Sequence, residues 1–167
     1  TIKGVTEDVT EMILNLKQVR FKKITDQDIN TEKITLNIHN NTEFNAGMIG
    51  EATQLFQVMN PNQLICTLDT TASMLIEITI GKGRGYVPSE ENKIKDAPFG
   101  YIPIDSIYTP IKNVQYTIEN FRVEQRTDYE KLTLNIKTDG TIHPENAIKE
   151  AAKVLVQHLL LLTDENI

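Results

Sequence analysis

A chain of 167 residues, 40% of them hydrophobic and none of them tryptophan, has room for one or two compact units with a real core. Its net charge of −6 argues against a dedicated nucleic-acid binder, which carries a basic excess. A lone cysteine, Cys66, rules out an internal disulfide and fits a reducing compartment.

The chain opens at Thr1 rather than Met and runs almost at once into a helix, as expected of a piece of a longer polypeptide; neither a signal peptide nor a membrane span is expected. Gly4–Leu16 reads as a turn and a helix. Thr6 is the expected N-cap, Glu7 and Asp8 fill the first turn, and Val9, Met12, Ile13 and Leu16 make the apolar stripe. From Val19 to Ile80 the pattern is of strands: Ile34, Leu36 and Ile38 alternate, as do Met74, Ile76, Ile78 and Ile80, with Leu64–Leu68 a short run between them. Asn40-Asn41 and Asn60-Pro61-Asn62 are turn signals, and one short helical piece is expected near Met48–Leu55. Short strands at regular spacing point to an antiparallel β unit.

Gly81-Lys82-Gly83-Arg84-Gly85-Tyr86 invites a phosphate-loop reading and fails it. No Ser or Thr follows a Gly-Lys pair, and Pro88 with a polar stretch comes next, not a helix. The glycines are better read as letting the chain leave a strand in tight geometry, with Arg84 and Tyr86 at an edge. Ser89–Phe99 reads as a solvated, mobile loop, Tyr101–Tyr108 as a strand, and Pro110 as a joint. The expected domains are therefore 1–109, β-rich with one N-terminal helix, and 110–167, the C-terminal part of a mixed unit. The fold class is α+β.

The second domain reads as strand, tight connection, strand, turn, long helix. Val114, Tyr116 and Ile118 alternate, then Leu132, Leu134 and Ile136; Thr138-Asp139-Gly140 supplies the turn and Pro144 the first helical turn. Ile148, Ala152, Leu155, Leu159 and Leu162 form one apolar stripe, and Ala151, Val154 and Leu161 carry apolar character onto a second face. Two faces imply either two partners, one of them outside the chain, or a helix sunk in a larger core of its own chain. The run is shorter than the roughly 20 apolar residues of a membrane span.

Sites for chemistry are sparse. His39, His143 and His158 lie far apart without the spacing of a metal site, so no metal and no cofactor is expected. Cys66 stands in the apolar run Leu64-Ile65-Cys66 and reads as a small buried hydrophobe. Glu124, Asp128 and Glu130 sit among Arg122, Arg126 and Lys131, a mixture of signs that suits a recognition surface or a salt-bridged hairpin. No catalytic residue is expected.

Several stretches carry a resemblance. Arg122-Val123-Glu124-Gln125-Arg126-Thr127-Asp128-Tyr129-Glu130-Lys131-Leu132, Thr138–Glu145 and Ala147-Ile148 closely resemble the N-terminal domain of the alpha subunits of bacterial-type DNA-directed RNA polymerase. So do Gly4–Val9, Asn15-Leu16-Lys17, Gly81–Pro88 and Tyr108-Thr109-Pro110, in the same order along nearly the whole chain. His143 departs from the family, which commonly has Asp there, and the family's first strands and helix, upstream of Gly4, are absent. The resemblance implies an inserted β-rich domain followed by part of a dimerisation domain. It further implies a non-catalytic scaffold that pairs with a second alpha subunit and holds the beta and beta-prime large subunits, with no direct DNA contact and no membrane, in the bacterial cytoplasm at the nucleoid or in a plastid.

On that resemblance the large-subunit contacts are expected at Gly4, Glu7, Asp8, Arg84, Tyr86, Arg122, Glu124, Gln125, Arg126, Thr127, Asp128 and Lys131. The dimer contacts are expected at Val154, Leu155, His158, Leu159, Leu161 and Leu162. The alternative is a small-molecule-binding α+β enzyme using the Gly81–Tyr86 loop, with Asp128 or Glu130 as acid or base; it lacks a matched pair of groups at useful spacing.

Overall fold

The computed structural model describes residues 2–25, 28–124 and 126–162, without the Thr127 side chain. The fold is α+β: the helices and strands among these residues include five antiparallel strand pairs. The chain divides into two compact units, Thr1–Thr109 and Pro110–Ile167.

The first unit runs α1 (Val9–Leu16), β1 (Phe21–Lys23), β2 (Thr31–His39), β3 (Glu43–Asn45), α2 (Ala46–Ala52), β4 (Phe56–Val58), β5 (Leu64–Thr67), β6 (Ser73–Gly81), β7 (Tyr86–Val87), β8 (Ser106–Ile107). Its longest pairing is β2 with β6, in which Ile34 faces Ile78, Leu36 faces Ile76 and Ile38 faces Met74. Directly opposed residues share a sheet face, so this alternation turns one apolar side inward. The outer side is polar except for the exposed Leu75 and includes the Lys33–Glu77 ion pair at 2.5 Å. Against the inner side pack Phe44, Ile65 and Cys66 from the β3–β5 pair, Ile49 from α2 and Met12 from α1, all buried. Phe21 and Phe56 meet edge to face across β1–β4, with ring centroids 6.5 Å apart.

Three local expectations are corrected. Helix α1 is capped by Asp8, not Thr6: Asp8 Oδ1 accepts from Glu11 N–H at 2.7 Å and Glu11 Oε2 accepts from Asp8 N–H at 3.0 Å. That reciprocal pair satisfies two end donors, where a Thr6 cap would have left the Asp8–Glu11 match unused. The short second helix starts earlier than Met48, because the Asn45 side chain accepts from Met48 N–H and caps it. Tyr101–Tyr108 is a strand only at Ser106–Ile107. Pro103, with no N–H, cannot join a ladder. The preceding loop is instead tied by Asn92, whose Nδ2 donates to Ile104 O at 2.8 Å and whose carbonyl accepts from the Tyr101 hydroxyl at 2.7 Å.

Two carboxylates stitch distant segments of this unit. Glu32 holds an inward register position on β2, beside Ile34 and Leu36. It accepts from Thr53 Oγ1, from Gln54 N–H at 2.9 Å and from Leu55 N–H at 3.1 Å, just past the end of α2. Burial opposes the charge, but these three bonds together hold the carboxyl below its ordinary 4.5. Glu7 accepts from Thr67 N–H at 2.6 Å and Thr67 Oγ1 at 3.1 Å, and the backbone bond above all lowers its pKa from 4.5. A lowered folded-state pKa means that the stabilisation is fully present above pH 4.5 and is lost as pH falls through the folded values. The denaturant midpoint of the protein should therefore fall on acidification below pH 4.5, and less steeply in a Glu7→Gln/Glu32→Gln variant, as urea titrations at a series of pH values will read.

The second unit consists of β9 (Ile111–Val123), β10 (Arg126–Thr138) and α3 (Pro144–Leu160). The two strands extend well beyond the apolar alternations at 114–118 and 132–136, each reaching 13 residues. Ile118 faces Leu132, Tyr116 faces Leu134 and Val114 faces Ile136, so six apolar side chains share one face. The other face is polar along its middle, with Glu119 across from Lys131 and Thr117 across from Thr133, and carries the Phe121–Tyr129 pair toward the hairpin end. Pro144 opens α3 and His143 stands at its N-cap without a side-chain bond, leaving end donors unmet. Replacing His143 by Asp should stabilise the protein by about 1 kcal/mol in chemical denaturation, since Asp supplies the missing acceptor and suits the helix dipole.

Candidate interaction surfaces

In the first unit, the expected contact residues near the N-terminus have internal duties. Gly4 adopts φ 81°, and a Cβ on it would lie 2.9 Å from the Ala72 Cβ. Its carbonyl accepts from Asp69 N–H at 2.7 Å, Val5 bridges to Leu68, and Thr6 N–H donates to Thr67 O. Glu7 is engaged by Thr67 and Asp8 by the cap, so their carboxylates hold the segment in place. Asn15 donates from Nδ2 to Ile65 O at 3.0 Å, joining α1 to β5.

Arg84 and Tyr86 are exposed, as expected at an edge. Tyr86 faces Ile107 across the β7–β8 pair, placing an aromatic and an aliphatic side chain together in solvent. Asp105 accepts from Lys17, at the end of α1, and from Tyr86, and the Lys17 bond chiefly holds its pKa down. The glycines before Tyr86 have a specific occupant. A Cβ on Gly83 would come within 2.6 Å of Tyr108 Cε2, and one on Gly81 within 3.5 Å of the Tyr108 hydroxyl. Tyr108 N–H also donates to Gly85 O at 2.8 Å. Gly81–Gly85 is thus a slot for the Tyr108 ring, which explains two stretches of the resemblance at once and fills the space over Gly83 that a ligand loop would need. Sequence reasoning missed Tyr108, Lys17 and Asp105 as parts of this arrangement; only the matched Asn15-Leu16-Lys17 and Tyr108-Thr109-Pro110 stretches pointed at them.

In the second unit, the charged segment forms the end of the hairpin. Val123 pairs with Arg126, and Glu124 lies in the turn; Gln125 and the Thr127 side chain lie outside the described residues. Arg126 makes a bidentate pair with Asp128, Nε to Oδ1 at 3.1 Å and Nη2 to Oδ2 at 2.7 Å, and its guanidinium lies 5.0 Å from the centre of the Tyr129 ring. The Arg126 bond lowers the Asp128 pKa. Arg122 Nε donates to Glu124 O at 2.8 Å, and Lys131 stands across from Glu119. These groups are solvent-exposed and screened, so they set shape more than stability.

On α3, Val154, Leu155, His158 and Leu159 are all exposed, with Leu161 and Leu162 beyond its end. His158 Nδ1 lies 2.8 Å from Val154 O and donates to it. The polar side carries the Glu145–Lys149 and Glu150–Lys153 ion pairs.

Cys66 is fully buried, and burial foremost, with the Glu7 carboxylate adding to it, pushes the thiol up to about 11. No group of three or more His, Cys, Asp or Glu is placed to hold a metal ion among the described residues, and no helix there is long and apolar enough to cross a membrane. A Gly83→Ala variant should lose about 1–3 kcal/mol of stability by overpacking against the ring. Combining it with Tyr108→Ala in a double-mutant cycle should show coupling, since the second change removes the obstacle.

Residues 1–109 match the family model described as the RNA polymerase Rpb3/RpoA insert domain. Over 165 residues, 99% of the chain, it is 58% identical to a DNA-directed RNA polymerase subunit alpha from Cytophaga hutchinsonii. Over its whole length it is 57% identical to the subunit of that name from Bacteroides fragilis and 51% identical to that from Porphyromonas gingivalis. In each case the chain spans about half the length of the relative, 50%. With a family model covering its whole first unit and alpha subunits aligned to both units, the chain belongs to the RNA polymerase Rpb3/RpoA insert domain family.

Proposed function

We propose that the chain is the assembly part of an RNA polymerase alpha subunit: a scaffold that dimerises and holds the beta and beta-prime large subunits, without catalysing nucleotidyl transfer itself. In this reading 1–109 is the inserted β-rich domain and 110–167 is part of the dimerisation domain. The observation that carries it is the second unit's lack of a core. None of its described residues is buried, and Val114, Tyr116, Ile118, Leu132 and Leu134 are 42–68% exposed on one hairpin face, while Leu155 and Leu159 are 65% and 61% exposed on α3. Burying one such side chain fully is worth about 1.5–3 kcal/mol, so this much open apolar surface is a strong drive toward association.

The dimer contact falls to Val154, Leu155, His158, Leu159, Leu161 and Leu162, a patch that meets its own copy about a two-fold axis. The large-subunit contacts fall to the polar loops, where the residues form two groups, one on each unit: Arg84 with Tyr86, and the hairpin end from Arg122 to Lys131 with Glu124, Gln125, Arg126, Thr127 and Asp128. Gly4, Glu7 and Asp8 shape the backbone beside α1 that would be presented. The relatives named above are bacterial, which favours the bacterial cytoplasm over a plastid. A scaffold of this kind needs no cofactor and no direct DNA contact.

Two variants of the full-length subunit separate the two roles. A Leu155→Glu/Leu159→Glu variant should elute as a monomer in size-exclusion chromatography with light scattering, where the wild type is a dimer. An Arg126→Glu variant, which breaks the Asp128 pair and the tyrosine stack, should remain dimeric yet retain less of the large subunits on co-purification. Retention equal to wild type would count against the hairpin end as a contact.

A further inference from the structure

The turn closing the β9–β10 hairpin holds a residue in a conformation that its side chain disfavours. Only Glu124 and Gln125 separate the paired Val123 and Arg126, and Glu124 has φ 55°. Left-handed positions in hairpin turns are normally filled by Gly, Asn or Asp, because the Cβ of an L residue crowds the following carbonyl, a cost that Gly avoids and Asn or Asp offset by local hydrogen bonds. Here the conformation is pinned rather than relaxed: Arg122 Nε donates to the Glu124 carbonyl at 2.8 Å. The neighbouring charges are matched inside the hairpin, Arg126 by Asp128 and by the face of Tyr129. Among the described residues, no group pairs with the Glu124 carboxylate. The hairpin end therefore displays, on a backbone position held by Arg122, a carboxylate where Gly or Asn would fold more easily. Strain retained at a position that a commoner residue would relieve marks a group kept for something outside the fold.

We propose that Glu124 is the specificity contact of the hairpin end, its carboxylate pairing with a lysine or arginine of a large polymerase subunit. This rests on the reading of the hairpin end as a large-subunit contact. The Arg122 bond holds the Glu124 backbone, so that part of the ordering is done before binding. The charge then gives discrimination and a salt-sensitive encounter.

The test uses full-length subunits competing with tagged wild type for a limiting amount of the large subunits, alongside thermal unfolding of each variant. Glu124→Gly and Glu124→Asn should unfold about 2 °C or more above wild type, because they relieve the left-handed strain. Both should nevertheless bind the large subunits about tenfold or more weakly. Glu124→Gln, which keeps the strain and loses the charge, should unfold at the wild-type temperature and bind as weakly as Glu124→Gly. Wild-type binding should also fall more steeply with added salt than that of Glu124→Gln. A Glu124→Gly or Glu124→Asn protein that is more stable and binds as tightly as wild type would overturn the proposal, as would one that is less stable. Wild-type subunit that fails to bind the large subunits at all would overturn the scaffold reading first, and this contact with it.

Discussion

Two strands and one helix enclose too little volume to exclude water, and the second unit lives under that constraint. Its hairpin has a consistent apolar face, three cross-strand pairs deep, and its helix has more apolar arc than one surface can cover. The first unit shows what the same chemistry achieves with enough elements: β2–β6, β3–β5 and both helices of that unit converge on Phe44, Ile49, Ile65 and Cys66 until none is exposed. The difference is one of geometry, not composition. The first unit is held by its own packing, whereas the second leaves its apolar faces open among the described residues.

The stretches most like the alpha-subunit family turn out to be busy within their own unit. Asn15 reaches Ile65, Lys17 reaches Asp105, Glu7 reaches Thr67, and the Gly81–Gly85 glycines receive Tyr108. Each joins segments distant in sequence and replaces a bond to water by one to protein, which keeps irregular connections in a fixed shape. Shared residues at such places report a shared fold. Arg84, Tyr86 and the end of the hairpin are what that fixed shape leaves protruding.

Much of this was legible in the residues. The alternation of Ile34, Leu36 and Ile38 against Met74 to Ile80 became the β2–β6 pair, and Val114–Ile118 against Leu132–Ile136 became the middle of the hairpin. The hairpin's outer reaches were not legible, because charged residues such as Arg122, Arg126 and Lys131 interrupt the pattern while the ladder, made by backbone, continues past them. Glu32 gave no sign of its role: a glutamate in an inward register position looks like a flaw until the Thr53–Leu55 donors are placed over it. Asp8 was visible as acidic but not as the cap, since Thr6 offered an equally good local candidate and only the reciprocal Glu11 bond decides between them.

The hairpin has a further consequence through its rims. Each of its strands has a neighbour on one side only among the described residues, so alternate amides and carbonyls along 13 residues point outward without a ladder. Such rims are templates for any extended chain that drifts near. A further strand of the same polypeptide would fit there as well as one from another chain, by the same backbone bonds.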